Sequence, residues 1–134
     1  MPLDLEVVTP EREVAHEQVS EVQIPGQDGY LGVLPGHAAL LSKLGIGKLS
    51  YSAGGHWSNL AVHGGFLEIR DDHVRVLADA AERPEEIDVE RARRAEGRAR
   101  ERELNPELGL DPADAVAAVL RAETRIAVAQ QRQG

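Results

Sequence analysis

Arg91, Arg98, Arg121 and Arg125 are the residues of this chain whose type and spacing come nearest to chemistry. On helices, the first pair lies two turns apart and the second pair one turn apart, so each pair occupies one face. A guanidinium is always charged and presents its N–H donors as a planar fork, which suits phosphate or carboxylate oxygens. Two such faces folded together would clamp a polyphosphate. Taken alone, the spacing favours a solvated helix face, and the anion-binding reading needs further support.

Other chemistries lack their residues. The glycines from Gly29 to Gly36 invite a phosphate-loop reading, but no GxxxxGK[ST] string is present to bring backbone amides, a lysine and a hydroxyl together. Gly45-Ile46-Gly47 lacks the third glycine and the helix start of a dinucleotide fingerprint. His16, His37, His56, His63 and His73 show no helical ligand spacing and no accompanying carboxylate cluster, so most read as surface or turn residues and no metal site is expected. Asp71 and Asp72 read as turn formers rather than an acid/base pair. No Ser/His/Asp order or nucleophile elbow stands out, and no catalytic residue is expected.

Composition narrows the partners. The chain has 134 residues, enough for one domain or one domain with an appendage. With 15 Lys and Arg against 23 Asp and Glu its net charge is -8, which opposes binding to a phosphate backbone, so no nucleic-acid partner is expected. There is no cysteine, hence no disulfide and no thiolate zinc site. The start Met1-Pro2-Leu3-Asp4 has neither a basic flank nor an apolar run, so the chain reads as soluble and intracellular, without a signal peptide or membrane span.

The elements that must position the arginines follow from a change of rhythm at Glu86-Ile87-Asp88-Val89-Glu90-Arg91-Ala92. Before it, apolar residues alternate, as in Leu3, Leu5, Val7 and in Val74, Val76; after it, they recur every three or four residues, as in Ala92, Ala95, Ala99. Strand-like runs cover Leu3 to Val8, Glu13 to His16, Glu21 to Ile24, Gly47 to Tyr51, Trp57 to Val62, Phe66 to Ile69 and His73 to Leu77. Pro25 to Gly29, Ser52 to His56, Gly64-Gly65 and Asp71-Asp72 break them. Short antiparallel strands joined by glycine-rich turns predict a sandwich or flattened barrel. With one Phe, one Trp and two Tyr, its core must be mostly Val, Leu and Ile.

Pro84 and Asp88 predict a linker and an N-cap, and Leu104-Asn105-Pro106 ends the first helix. Asp111-Pro112 supplies an N-cap with Pro at N1 for a second helix running to about Gln131. Glu90 with Arg94 and Glu96 with Arg100 are favourable pairs one turn apart. Ala115, Ala118, Val119, Ala122, Ile126 and Ala129 form a stripe that can meet Ala92, Ala95 and Ala99 in an antiparallel pair. A methyl-sized group contributes roughly 0.8 kcal/mol on burial, so an alanine seam supplies a few kcal/mol before ordering entropy. Such a hairpin can open; as one straight helix, Val89 to Gln131 would reach on the order of 60 Å. The expected architecture is α+β: an N-terminal antiparallel β-sandwich over residues 1–84, then a C-terminal antiparallel two-helix hairpin over residues 85–134.

An ordered set of motifs runs through both parts: Gly29-x-x-Gly-Val-Leu-Pro-Gly-His-Ala, His63-Gly-Gly-Phe-Leu-Glu-Ile, Val74-Arg-Val-Leu-Ala-Asp-Ala-Ala-Glu and Glu86-Ile-Asp. The set resembles the epsilon subunit of F-type ATP synthases of the bacterial type, over essentially the whole chain. The resemblance implies a non-catalytic rotor subunit of the central stalk that couples proton-driven rotation to ATP synthesis. It implies as partners the gamma subunit, the c-ring, and the catalytic α/β subunits when the hairpin is extended and hinders ATP hydrolysis. It implies a peripheral place on the cytoplasmic face of the bacterial cell membrane, with membrane association only through the complex. Tyr30, Leu34, Pro35, Gly36 and His37 correspond to the family's c-ring-facing region, Tyr30 standing where some relatives carry an acidic residue.

Some members of that family bind ATP on the folded hairpin through [IL]DxxRA and arginines of the second helix. Ile87, Asp88, Arg91 and Ala92 match the first motif, Arg121 and Arg125 the second part, and Glu82 and Arg98 fall on corresponding positions. The resemblance therefore implies ATP as a regulatory ligand, with no cofactor required. The competing class is a free-standing nucleotide sensor that uses the same arginine-rich hairpin.

Overall fold

A computed structural model describes residues 2–105, 107 and 111–130. Eight strands, β1 (Leu3–Val8), β2 (Glu13–Val19), β3 (Glu21–Gly26), β4 (Gly29–Val33), β5 (Leu40–Ala53), β6 (His56–Arg70), β7 (His73–Ala78) and β8 (Ala81–Glu82), form one sheet in the order β2-β1-β7-β6-β5-β3-β4, with β8 off this path and paired to β6. A 3-10 turn, Pro84–Glu86, leads to α1 (Val89–Leu104) and α2 (Pro112–Gln130). This is the β-sandwich followed by a helical hairpin that the change of rhythm predicts.

Alternation builds the sandwich. In β1, Leu3, Leu5 and Val7 are buried while Asp4, Glu6 and Val8 are only half-buried. In β7, Val74, Val76 and Ala78 face in and His73, Arg75 and Leu77 face out. The core is aliphatic, with Ile24, Leu49, Leu60, Leu67 and Ile69 among its largest buried members; Tyr51 is its one aromatic residue. Trp57 and Phe66 stay on the surface.

Two features depart from a short-stranded antiparallel meander. First, β5 and β6 have 14 and 15 residues and pair along their whole length. Gly64-Gly65, expected to separate two strands, is instead a bend within β6. The half after the bend pairs with β7 and the half before it with β8, so one strand serves both layers of the sandwich. At Gly65, with φ +126, an added Cβ would lie 2.1 Å from the Leu77 carbonyl oxygen, so only glycine lets the strands touch there. Second, β1 pairs antiparallel with β2 but parallel with β7, and β2 is not paired with β3.

The turns are those their residues demand. Gly54-Gly55, with φ of 58° and 80°, closes β5 to β6, and Asp71-Asp72, with φ of 51° and 60°, closes β6 to β7. Two successive positive φ values match the right-handed strand twist, and aspartate tolerates that region better than most side chains.

The hairpin begins on an N-cap: the Arg91 backbone N–H donates to Asp88 Oδ1 at 3.0 Å. At the far end of α1, Asn105 Nδ2 donates to the Glu101 carbonyl at 2.9 Å, satisfying one of the last carbonyls. The second helix starts as expected, with the Ala113 N–H donating to Asp111 Oδ1 at 2.8 Å. Its predicted last residue, Gln131, and most of the connection between the helices lie outside the described residues.

Glu96 pairs with Arg100 at 3.3 Å, and Arg100 also reaches Glu123 of α2 at 3.6 Å. Glu90 takes Arg93 at 3.0 Å rather than Arg94; both three- and four-residue spacings bring side chains together on a helix. Ala92 and Ala99 meet α2, where Ala115, Val119 and Ala122 are buried and Ala118, Ile126 and Ala129 are half-buried. Thr124 and Val128 are buried as well, because α2 also rests on β5, β6 and the 3-10 turn. Among the described residues, no helix is long and apolar enough to cross a membrane.

The bend sets an expectation for two glycines that both have positive φ. Gly65→Ala must displace backbone and should lower the unfolding free energy by more than about 3 kcal/mol. Gly54→Ala, with open space around the added Cβ, should cost about 1 kcal/mol. Urea denaturation of the two variants checks the difference.

Candidate functional site

Where the sandwich passes into the hairpin, Glu82, Glu86, Asp88, Arg91, Ala92, Ala95, Arg98 and Arg125 line a cleft of about 290 Å³. Each element contributes for a local reason. β8 ends the sandwich and presents Glu82; the 3-10 turn presents Glu86; the N-cap presents Asp88. Helical spacing puts Arg91, Ala95 and Arg98 along one face of α1, and the small alanines keep that face hollow. Arg125 enters from α2. Ile87, half-buried at the end of the 3-10 turn, and Arg121, half-buried one helical turn before Arg125, lie outside the lining.

Three guanidinium groups and three carboxylates share this space, and geometry separates the committed from the available. Glu82 Oε2 accepts from Arg125 Nε at 2.8 Å, while its Oε1 lies 2.7 Å from His63 Nε2. Glu86 accepts from Arg12 at 2.6 and 2.9 Å and from the Arg83 backbone N–H at 2.8 Å. Asp88 is occupied by the N-cap bond. Among the described residues, the side chains of Arg91 and Arg98 form no hydrogen bond or ion pair, so they are the cations most open to an incoming anion.

The carboxylates are tuned accordingly. Burial opposes ionisation of Glu82, but the His63 hydrogen bond and Arg125 outweigh it and lower the pKa from its ordinary 4.5. Hydrogen bonds from Arg12 and the Arg83 backbone bring Glu86 down to about 2. Arg83 also donates Nε–H to the Val14 carbonyl at 3.1 Å, so arginines stitch the linker to the β1–β2 side of the sandwich.

A larger cavity of about 540 Å³ lies between β2 and the β5–β6 turn. Glu13, Glu17 and Glu85 line it against one guanidinium, Arg83, which disfavours a polyphosphate. Burial and Glu17 push the Tyr51 phenol there up to about 12.

The second group of predicted residues sits on β4 and the turn after it. Tyr30 is 60% exposed, its hydroxyl accepting the Lys48 backbone N–H at 3.1 Å. Leu34-Pro35-Gly36-His37 is a turn closed by the His37 N–H to the Leu34 carbonyl at 3.2 Å, with Leu34, Pro35 and Gly36 exposed and His37 half-buried. Asp72 fastens it from the β6–β7 turn, Oδ1 accepting the Gly36 N–H at 2.7 Å.

The histidines correct one expectation. His63 is buried, the exception to the reading of most histidines as surface or turn residues, and it supports Glu82. Its place at the Gly64-Gly65 bend depends on a long-range fold that spacing does not reveal. His16 does have carboxylate company: Glu6, Glu13 and His16 lie within 4.8 Å of one another because β1 and β2 pair across their exposed face. Glu86 and Ala95 complete the cleft lining; Glu86 opens the motif that carried the resemblance, and its spacing from Asp88 was the available signal.

A strand-built base carrying a two-helix hairpin has close counterparts. Residues 2–84 match the family described as the ATP synthase delta/epsilon chain, β-sandwich domain. The chain is 61% identical over 130 residues, covering 97% of each, to the ATP synthase epsilon chain of Solibacter usitatus (strain Ellin6076). It is 48% identical over 126 residues, covering 94% of each, to the ATP synthase epsilon chain of Nitratidesulfovibrio vulgaris (strain DP4). A chain in the structure of the Euglena gracilis mitochondrial ATP synthase, OSCP/F1/c-ring in rotational state 1, superimposes with a TM-score of 0.82 at 26% identity, covering 94% of this chain and 80% of that one. The chain therefore belongs to the ATP synthase epsilon-chain family.

The linker chemistry has a pH consequence. A carboxyl whose pKa is lower in the folded state contributes stability at pH values above its unfolded pKa, and that contribution disappears as pH falls through the folded value. For Glu86 the window runs from about 4.5 down to about 2. Carbon-detected NMR titration should find its carboxyl near the lower value, and Arg12→Ala should return it most of the way to the upper one.

Proposed function

We propose that this chain is a non-catalytic central-stalk subunit of F1Fo ATP synthase, coupling proton-driven rotation to ATP synthesis, and that its hairpin is a brake on ATP hydrolysis which ATP releases. Membership of the epsilon-chain family supports the first part, together with the likeness to a chain from an F1/c-ring assembly. In this reading the sandwich binds the gamma subunit, Tyr30 and the Leu34 to His37 turn rest on the c-ring, and the extended hairpin reaches the catalytic α/β subunits. The complex lies on the cytoplasmic face of the bacterial membrane, and this subunit is peripheral to the bilayer.

The observation that carries the brake is the composition of the cleft. Its cations come from both helices: Arg91 and Arg98 on α1, Arg125 on α2, with Glu82 on the sandwich beneath them. A polyphosphate gripped by all three guanidinium groups binds only while the hairpin is folded onto the sandwich, so binding and docking are linked. A ligand at 100 times its dissociation constant stabilises the bound state by about 2.7 kcal/mol. That is comparable with an alanine seam worth a few kcal/mol, so ATP well above its dissociation constant can move the balance.

Calorimetric titration of the full chain with ATP tests the ligand. Arg98→Ala and Arg125→Ala should each weaken binding about tenfold or more, the cost of losing a hydrogen bond between ionised groups, whereas Arg121→Ala, outside the cleft lining, should weaken it less. No heat at millimolar ATP, or equal affinity in all variants, would remove the site. A reconstituted catalytic complex carrying a chain that ends at Arg83 should hydrolyse ATP faster than one carrying the full chain; equal rates would remove the brake.

A further inference from the structure

His63 lies in β6 immediately before the bend, with its side chain only 2% exposed. Its two ring nitrogens face different surroundings. Nε2 lies 2.7 Å from Glu82 Oε1, while Nδ1 is buried and has no hydrogen-bond partner among the described residues.

That asymmetry selects one neutral tautomer. With the proton on Nε2, the imidazole donates to an anionic oxygen and leaves a bare lone pair at Nδ1. With the proton on Nδ1, a buried N–H would lack an acceptor and two lone pairs would oppose each other across 2.7 Å. The same carboxylate also receives Arg125 Nε, at 2.8 Å on Oε2 and 3.1 Å on the Oε1 that faces His63, an ionic contact between α2 and the sandwich. Glu82 is half-buried, so its orientation depends on these two donors.

We propose that His63 is a positioning residue for hairpin docking: by donating Nε2–H from inside the sandwich, it holds the Glu82 carboxylate where Arg125 can bind it. The strength of docking is then set from the core of the sandwich, with or without nucleotide. The inference rests on the reading of the hairpin as a part that docks and releases, and not on ATP binding in the cleft.

The test uses the full chain without nucleotide. Long-range nitrogen–proton NMR of the wild type should show His63 protonated at Nε2 and not at Nδ1. Hydrogen exchange should show His63→Leu speeding exchange in α2 by about tenfold to a hundredfold, as for loss of a hydrogen bond to an ionised group, with core β1 amides unchanged. Glu82→Gln should match it. His63→Gln, which keeps an N–H donor, should return α2 exchange to within about threefold of wild type. Because the chain has no cysteine, Gln23→Cys and Ala127→Cys can carry spin labels, and the distance between them should broaden in the same variants.

Protonation at Nδ1 would overturn the proposal. So would unchanged α2 exchange in His63→Leu, or equal loss in the Leu and Gln variants. None of these results depends on whether ATP binds, so a failed ATP titration leaves this inference standing, and the reverse also holds.

Discussion

One carboxylate joins the two halves of this protein. Glu82 closes the sandwich, and its side chain is shared between a histidine inside the sheet and an arginine on the second helix. A half-buried anion is costly unless its oxygens are occupied, and here both are. Removing either donor exposes the carboxylate to the cost of burial without its compensation, so the Arg125 contact on α2 and the ionisation of Glu82 support each other. The same pair borders the cleft, which both Glu82 and Arg125 line.

The two halves differ in how they are held. The sandwich is knit by strands of 14 and 15 residues that run through both layers and by an aliphatic core closed around Leu3, Leu5, Leu49 and Leu60. The buried residues of the hairpin are alanines, Val119, Thr124 and Val128, joined by ionic contacts of Arg100 with Glu123 and of Arg125 with Glu82. Small residues allow close approach, but each buries little area, so the seam is sensitive to a single polar contact in a way the sandwich is not. Arginines at the junction reinforce this difference: Arg12 and Arg83 tie the linker to the sandwich and leave Arg91 and Arg98 uncommitted.

Much of this organisation can be read from residue types. Asp88 and Asp111 announce the helix starts, Gly54-Gly55 and Asp71-Asp72 announce the turns, and the change from alternation to a period near 3.6 separates sandwich from hairpin. The arginines of the cleft and the glutamate beneath them stood out as motif positions. Gly64-Gly65 misled, because two glycines between apolar runs signal a turn as readily as a bend within one strand. His63 was not singled out for a related reason: a lone histidine beside glycines carries no local mark of burial, since its burial comes from a neighbouring layer and its partner is 19 residues away.

By itself, the amino-acid order determined the local elements, the apolar faces, the absence of a thiol or a nucleotide loop, and the candidate cations. Those depend on propensity, periodicity and capping, all of which act over a few neighbouring residues. Only the tertiary structure decided which charges are engaged and which are open. It put Arg125 on Glu82, Glu86 on Arg12 and His63 beneath them, while Arg91 and Arg98 face the cleft. Coulombic and hydrogen-bond energies depend on separation in space and on burial, and neither quantity is defined until distant segments have packed.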